Sequence, residues 1–276
     1  MSTIEKILIL STILLFGFLT IFSYAYVDLN LTLSKSPLVI SFVSRMQNFG
    51  YYHRTAATLT YSLFLTAAFT QFIITLYLIY RKKIGKKYLI ASIIATTLIS
   101  IFAYPYLSYD VFNYMFDAKI LTVYHANPYT HKPLDFPSDD WLRFMRWIHR
   151  YSPYGPAWLL MSVVPSLLGL GKFVITLFNF KVLMAAFHLL NCLIIYKILF
   201  KLNPKNQMLG TSFYALNPLV LIEGVVNAHN DVVLATFILL PVYLLSNQKP
   251  LLSILANIIG TLVKYIPAIS LPWLII

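Results

Sequence analysis

A chain of 276 residues with 59% hydrophobic and 11% charged side chains has too little charge to cover a soluble surface, and its mean hydropathy is +0.75. The formal net charge of +12, from 21 Lys and Arg against 9 Asp and Glu, then reads as cytoplasmic loops facing anionic lipid, not as a nucleic-acid surface. Cys192 is the only cysteine, which excludes an intrachain disulfide and a multi-cysteine metal site. The expected class is all-α: a polytopic integral membrane protein, one domain over residues 1–276.

A helix that crosses the hydrocarbon needs about 20 mostly apolar residues. Residues 7–27 form the first such run. It is slightly long for a signal peptide, and a single Lys6 beside Glu5 is a weak n-region, so a retained span is expected. Residues 56–80 and 88–105 follow, separated by Arg81, Lys82, Lys83, Lys86 and Lys87. Positive loops stay in the cytoplasm. The N-terminus is therefore expected inside, and the third span delivers an external loop, 105–156, to the outer face.

Residues 157–170 are apolar but short, with Pro165 inside them. The full-length run 172–201 ends among Lys197, Lys201 and Lys205. Those lysines fall inside only if 157–170 does not cross, so it is read as re-entrant or interfacial. Spans over 208–226, 232–246 and 251–274 complete the pattern, the first broken by Pro218 and the last by Lys264, Pro267 and Pro272. The chain stops at Ile275-Ile276 without a polar tail, which suggests that a C-terminal part is missing.

Ionisable groups in or beside a membrane are functional candidates where they cluster. Asp135, Asp139 and Asp140 lie in a polar loop, where solvation explains them. Asp110 lies among Tyr104, Tyr106, Tyr109, Phe112 and Tyr114. Such poorly solvated surroundings suit a general base, and an N-cap for a helix over 111–123 is the compatible structural role. Tyr114 and Asp117 share its helix face, at i+4 and i+7. Asp117 is expected to pair with an external Lys or Arg.

Asn127-Pro128 then ends that helix. Residues 141–150 look amphipathic, with Arg143, Arg146 and Arg150 on one face and Trp141 and Trp147 at the interface. That row is a candidate for a lipid phosphate. Ser152-Pro-Tyr-Gly-Pro, with Tyr154 at its centre, is a rigid turn. Glu223, Asn227, His229, Asn230 and Asp231 gather at an outer helix end, as ligands for sugar hydroxyls or phosphate. Their spacing matches no standard metal motif, so no metal or other cofactor is predicted. Lys264 sits mid-run, where it needs an anion, a phosphate or Glu223.

These interruptions resemble the GT-C glycosyltransferases, most closely the prokaryotic polyprenyl-phosphate-mannose-dependent mannosyltransferases. The resemblance rests on Ser108-Tyr-Asp-Val-Phe-Asn-Tyr, Ala126-Asn-Pro-Tyr, Ser152-Pro-Tyr-Gly-Pro, Asn217-Pro-Leu-Val-Leu-Ile-Glu, His229-Asn-Asp and Leu262-Val-Lys-Tyr-Ile-Pro, in that order. It implies a GT-C-like helical bundle whose large external loop carries short helices. It also implies transfer of a sugar, mannose first, from a polyprenyl-phosphate donor to a glycan or lipid acceptor at the outer face of the cell membrane, with inversion. Asp110 takes the place of the family's proposed base. Asn127 and Tyr129 match the loop after it, and Glu223, His229, Asn230 and Asp231 match a stretch near the sugar. Lys264 and Tyr265 match a motif assigned here to donor phosphate. Family members are longer, which leaves acceptor recognition open. A flippase of lipid-linked sugars and a non-catalytic membrane partner are the alternatives; the absence of a G-x-G-x-x-G loop fits a donor that is not a nucleotide sugar.

Overall fold

The computed structural model describes residues 1–272. Its regular structure is helical throughout, with no strand among the described residues. Two compact units emerge: Met1–Ser108 with Lys205–Asn227, and Tyr109–Pro204 with Ala228–Ile276.

The first unit begins with α1 (Thr3–Ser23). Ser2 accepts the Glu5 N–H at 3.2 Å, and the Glu5 carboxylate accepts the Ser2 N–H at 2.6 Å, so the two close a capping box. The other Glu5 oxygen accepts Gly85 N–H at 2.8 Å, which fastens the basic turn to the start of α1. α2 (Pro37–Tyr52) fills a stretch that the search for long apolar runs leaves as a loop. It packs on Tyr24–Tyr26 so closely that a Cβ on Gly50 would lie 2.0 Å from the Ala25 carbonyl oxygen. α3 (Arg54–Tyr80) and α4 (Lys86–Ile101) both pack against further elements of this unit, α3 and α4 each touching α1. α8 (Gln207–Ala215) and α9 (Pro218–Val220) follow, the latter running into a π-helical turn, Leu221–Val226. The chain bends by 46° between them, where Pro218 has no N–H to continue the helix.

The second unit comprises α5 (Asp110–Thr122), α6 (Pro156–Leu168), α7 (Phe173–Leu202), α10 (Asp231–Ser246) and α11 (Pro250–Val263). α7 touches α5, α6 and α10, and α11 lies on α10 and α6. Between α7 and α10, Asn191 donates to the Val232 carbonyl at 2.8 Å and accepts from Thr236 at 2.6 Å. An amide that makes both bonds satisfies itself and joins the helices where water is scarce. Phe112, Met115, Phe116 and Ile120 of α5 and Trp158 of α6 are fully buried.

Among the described residues three helices are long and apolar enough to cross a membrane: Thr3–Tyr26, Arg54–Tyr80 and Phe173–Leu202. The bent pair Pro204–Ala215 and Pro218–Val226 makes a fourth if it is one span. The regions expected to cross at 88–105, 232–246 and 251–274 contain helices of 16, 16 and 14 residues. α6 has 13 residues, about 20 Å at ~1.5 Å each, which is short of the ~30 Å hydrocarbon layer. The end of the 251–274 run, and Ile275 and Ile276, lie outside the described residues.

Candidate active site

The site is built on one face of α5. Asp110 occupies its first turn, with Tyr109 as the capping residue, so the carboxylate is not the N-cap expected from sequence. Asn113 and Asp117 lie one and two turns further on. These three line a cleft of about 210 Å³, faced by Trp147, Arg150 and Tyr154. Tyr114, at i+4 from Asp110, is buried beside it, its ring edge-on to Tyr154 at 4.8 Å and to Trp158 at 5.0 Å. Burial, then the charges near it, raises the hydroxyls of Tyr114 and Tyr154 above their usual range, so both are neutral hydrogen-bonding groups.

The loop after α5 is held by side chains rather than by regular structure. Asn127 accepts Tyr129 N–H at 2.9 Å, an Asx turn that starts the Asn-Pro reversal. The Tyr129 hydroxyl donates to the Tyr154 carbonyl at 2.7 Å, and Ser152 N–H donates to the Pro128 carbonyl at 3.0 Å. Asp139 departs from its expected solvated role. It is buried, accepts from Tyr124 at 2.7 Å and from Trp141 N–H at 2.8 Å, and pairs with Lys119 at 2.5 Å. Burial acts against its charge, yet Lys119, Tyr124 and the Trp141 amide outweigh that and hold its carboxyl below the usual range.

The arginines do not form one helical row. Asp139 caps a short 3-10 helix, Asp140–Phe144, and Met145 turns extended, so the periodicity is lost after a single turn. Arg143 pairs with Asp140. Arg146 lies over the Tyr109 ring at 4.1 Å, and Arg150 over Trp147 at 4.5 Å. Of the three, Arg150 is the one that lines the cleft.

The later candidates split between the two units. His229, Asn230 and Asp231 belong to the second, in the turn that opens α10. Asn230 N–H reaches the Tyr114 hydroxyl at 3.5 Å, which links this turn to α5. Asp231 stands 2.6 Å from Lys264 and 3.9 Å from His229 Nδ1. Lys264 is the residue after the end of α11, with extended backbone, and its partner here is Asp231 and not the Glu223 considered from sequence. Tyr265 beside it is 83% exposed. Glu223 and Asn227 belong to the first unit, where Glu223 rides the π-helical turn and accepts from Asn227 at 3.2 Å. Asn227 also accepts Leu107 N–H at 3.2 Å. Among the described residues no group of three or more His, Cys, Asp or Glu is placed to hold a metal.

Sequence reasoning undervalued Asp117 and passed over Asn113 and Ser152. Asp117 is 3% exposed, and burial lifts its carboxyl to about 7, with the Ser152 hydroxyl acting in the opposite direction. Among the described residues it has no Lys or Arg ion-pair partner of the kind expected, and burial dominates its setting. The available signal was the spacing of Asp110, Asn113 and Asp117, which repeats one face of the helix in polar residues.

A family model described as "Alpha-(1->6)-mannopyranosyltransferase, N-terminal domain" matches residues 15–276. The chain belongs to that family, and glycosyl transfer is the activity the family carries. Searches of curated proteins and of solved structures return no significant match.

Proposed function

We propose that this member of the α-(1→6)-mannopyranosyltransferase family is a multi-pass GT-C enzyme of the cell membrane, with its N-terminus in the cytoplasm. It moves mannose from a polyprenyl-phosphate donor to a hydroxyl of a glycan or lipid acceptor at the outer face. The observation that carries the reading is Asp110 in the first turn of α5, on a cleft that also presents Arg150 and aromatic side chains. The aromatic faces that line the cleft suit the C–H faces of a sugar.

In this reading the acceptor O–H gives its proton to Asp110 as its oxygen attacks the anomeric carbon. The bond from that carbon to the phosphate oxygen breaks, and polyprenyl phosphate leaves with the electron pair. Such a leaving group needs positive charge more than it needs an acid. Arg150 fits that need best, with Lys264 as the second cation, held by Asp231 until a phosphate competes for it. A single displacement inverts the carbon, so an α product requires a β-linked donor.

The test supplies polyprenyl-phosphate mannose to membranes that contain wild-type or Asp110→Asn protein and follows mannose transfer. Loss of a general base should reduce the rate by about 10²–10⁴-fold. Transfer at the wild-type rate by Asp110→Asn would remove the base assignment. Movement of intact sugar-lipid across the bilayer, without transfer, would favour a flippase.

A further inference from the structure

The first unit carries a surface that the proposed transfer does not use. α1 and α3 lie side by side and run in opposite directions. Gln71 donates to the Leu8 carbonyl at 3.1 Å, the rings of Phe16 and Phe64 meet at 6.5 Å, and those of Phe22 and Tyr61 at 5.6 Å. Between the levels of Leu8 and Leu15 the two helices leave an open groove of about 590 Å³. Leu8, Leu14 and Leu15 line it from α1, and Ala67, Thr70 and Ile74 from α3. Both helices are long and apolar enough to cross the membrane, so the groove opens on hydrocarbon.

The chemistry of the groove suits an apolar chain. Ser11 donates to the Leu8 carbonyl at 3.0 Å, and the Gln71 amide gives its hydrogens to that carbonyl and to the Thr12 hydroxyl. Those donors are spent on α1 itself, and among the described residues no charged side chain lines the groove. Leucine, isoleucine and alanine side chains dominate what is left, and a hydrocarbon chain covers them without burying a polar group of its own.

One end of the groove leads to charge. Beyond Ile74 the same face of α3 carries Tyr77, and Arg81 lies over its ring at 5.9 Å. Lys6, Arg81, Lys82, Lys83, Lys86 and Lys87 are all exposed at this end. The turn that bears most of them is fixed in place: Glu5 accepts Gly85 N–H at 2.8 Å, and Ile79, Ile84 and Tyr88 pack with Leu8 and Ile9. Six cations against the single carboxylate of Glu5 leave a strong positive excess there. An apolar groove that ends at a fixed cationic turn matches an amphiphile with an anionic head.

Length then selects among amphiphiles. Along α3, Ile74 lies about 10 Å and Ala67 about 21 Å from Arg81 at ~1.5 Å per residue. A bilayer measures ~40–45 Å with its headgroups, so one leaflet is about 20 Å deep. The groove therefore runs from the middle of one leaflet to its inner end, the stretch that an ordinary acyl chain covers when its headgroup sits beside Arg81. We infer that the α1–α3 groove and the Arg81–Lys87 turn form a binding site for one anionic phospholipid: an acyl chain lies in the groove, and the cations of the turn hold the headgroup phosphate. The site lies wholly within the first unit, and its occupancy does not depend on the transfer reaction.

The test exposes full-length protein in neutral detergent micelles to phosphatidylglycerol with a photoreactive diazirine halfway along one acyl chain. Phosphatidylcholine with the same chains is the comparison, and labelled peptides are mapped by mass spectrometry. Phosphatidylglycerol should label residues 8–15 and 67–74 at least about tenfold more than phosphatidylcholine, since each basic residue near an anionic headgroup adds roughly fivefold in affinity. Arg81→Gln, Lys82→Gln and Lys83→Gln together should lower that labelling about 10- to 100-fold. Thr70→Phe, at an exposed position, fills the groove, leaves the turn intact and should lower the labelling of residues 8–15 about tenfold. It keeps the test open if the triple variant fails to fold. Equal labelling by the two lipids overturns the role of the turn, and unchanged labelling in Thr70→Phe overturns that of the groove. Displacement of the label by polyprenyl phosphate but not by unlabelled phosphatidylglycerol gives the site to the donor lipid and overturns the assignment. A dimer in native mass spectrometry that excludes the label from residues 67–74 overturns it in favour of a second copy of the chain.

Discussion

Replacing Asp117 by Asn should change how stability depends on pH. Burial lifts the Asp117 carboxyl from an ordinary 3.8 to about 7 in the folded protein. Between about pH 4 and 7 the folded chain therefore holds a proton that the unfolded chain has released. Stability must then fall as pH rises through that window, by about 1.4 kcal/mol per pH step. Over the three or so steps between the two values the loss is on the order of 4 kcal/mol. The 3% exposure of Asp117 leaves little solvent to screen it. Asp117→Asn removes the titration and keeps the shape. Every other ionisable group is shared by the two proteins and cancels in the difference. Thermal unfolding in one detergent at a series of pH values should show the variant gaining on wild type from pH 4 to pH 8. At ~2–4 °C per kcal/mol the relative gain is about 8–16 °C. A difference in unfolding temperature that stays flat across this range would refute the buried neutral carboxyl.

Two further expectations concern the scaffold around the cleft. A Cβ on Gly155 would lie 1.9 Å from the Leu262 carbonyl oxygen and 2.6 Å from its carbon, so Gly155→Ala should force α6 away from the end of α11 at a cost of about 1–3 kcal/mol, read as a lower unfolding temperature. Gly17→Ala is the control: no atom lies within 4 Å of its Cβ, and a helix-interior alanine should be neutral or up to about 1 kcal/mol stabilising. Asp139→Asn should cost on the order of 3 kcal/mol at pH 7, because Lys119 loses its buried partner. The folded protein holds the Asp139 carboxyl below 3.8, so this contribution is present above about pH 4 and fades as pH falls further. Unfolding measured at pH 7 and again at pH 3 should show the gap narrow; a gap as wide at pH 3 would rule out the ion pair as its source.

How far the sequence reveals this structure depends on how local each signal is. The break at Lys82–Lys83 is legible as a cluster of charge between two apolar runs, and the bend at Pro218 and the reversal at Asn127-Pro128 because those residues act on their own backbone. The shared face of Asp110, Tyr114 and Asp117 was legible from helical period alone. α2 was not, because its 16 residues include Arg45 and fall short of a spanning run. The arginine row misled because spacings of three and four imply a common face only if the helix continues, and it stops at Phe144. Lys264 looked buried within a span by position, but extended backbone places it beyond the end of α11, in reach of Asp231. Asp117 was misjudged because the depth of a carboxyl depends on what packs over it from elsewhere in the chain.

What packs over the cleft converges on residues 152–155. Ser152 N–H holds Pro128, the Tyr154 carbonyl holds the Tyr129 hydroxyl, and Gly155 N–H holds the Val263 carbonyl at 3.3 Å. The Tyr154 ring meets Tyr114, whose hydroxyl in turn meets Asn230. Two segments distant in sequence, the Asn127–Tyr129 loop and the end of α11, thus reach α5 through one short turn, Ser-Pro-Tyr-Gly, while the turn before α10 reaches it at Tyr114. Pro153 and Pro156 restrict φ on either side of that turn, so its conformation is largely set before the contacts form. A substitution there that shifts the backbone would move the Asn127–Tyr129 loop, the start of α6 and the end of α11 together. The carboxylates on α5 would keep their own helix, but the wall facing them would be displaced. In a cleft of about 210 Å³, that displacement acts on whatever the cleft admits, and under the proposed reaction it would alter substrate fit while leaving Asp110 on its own helix.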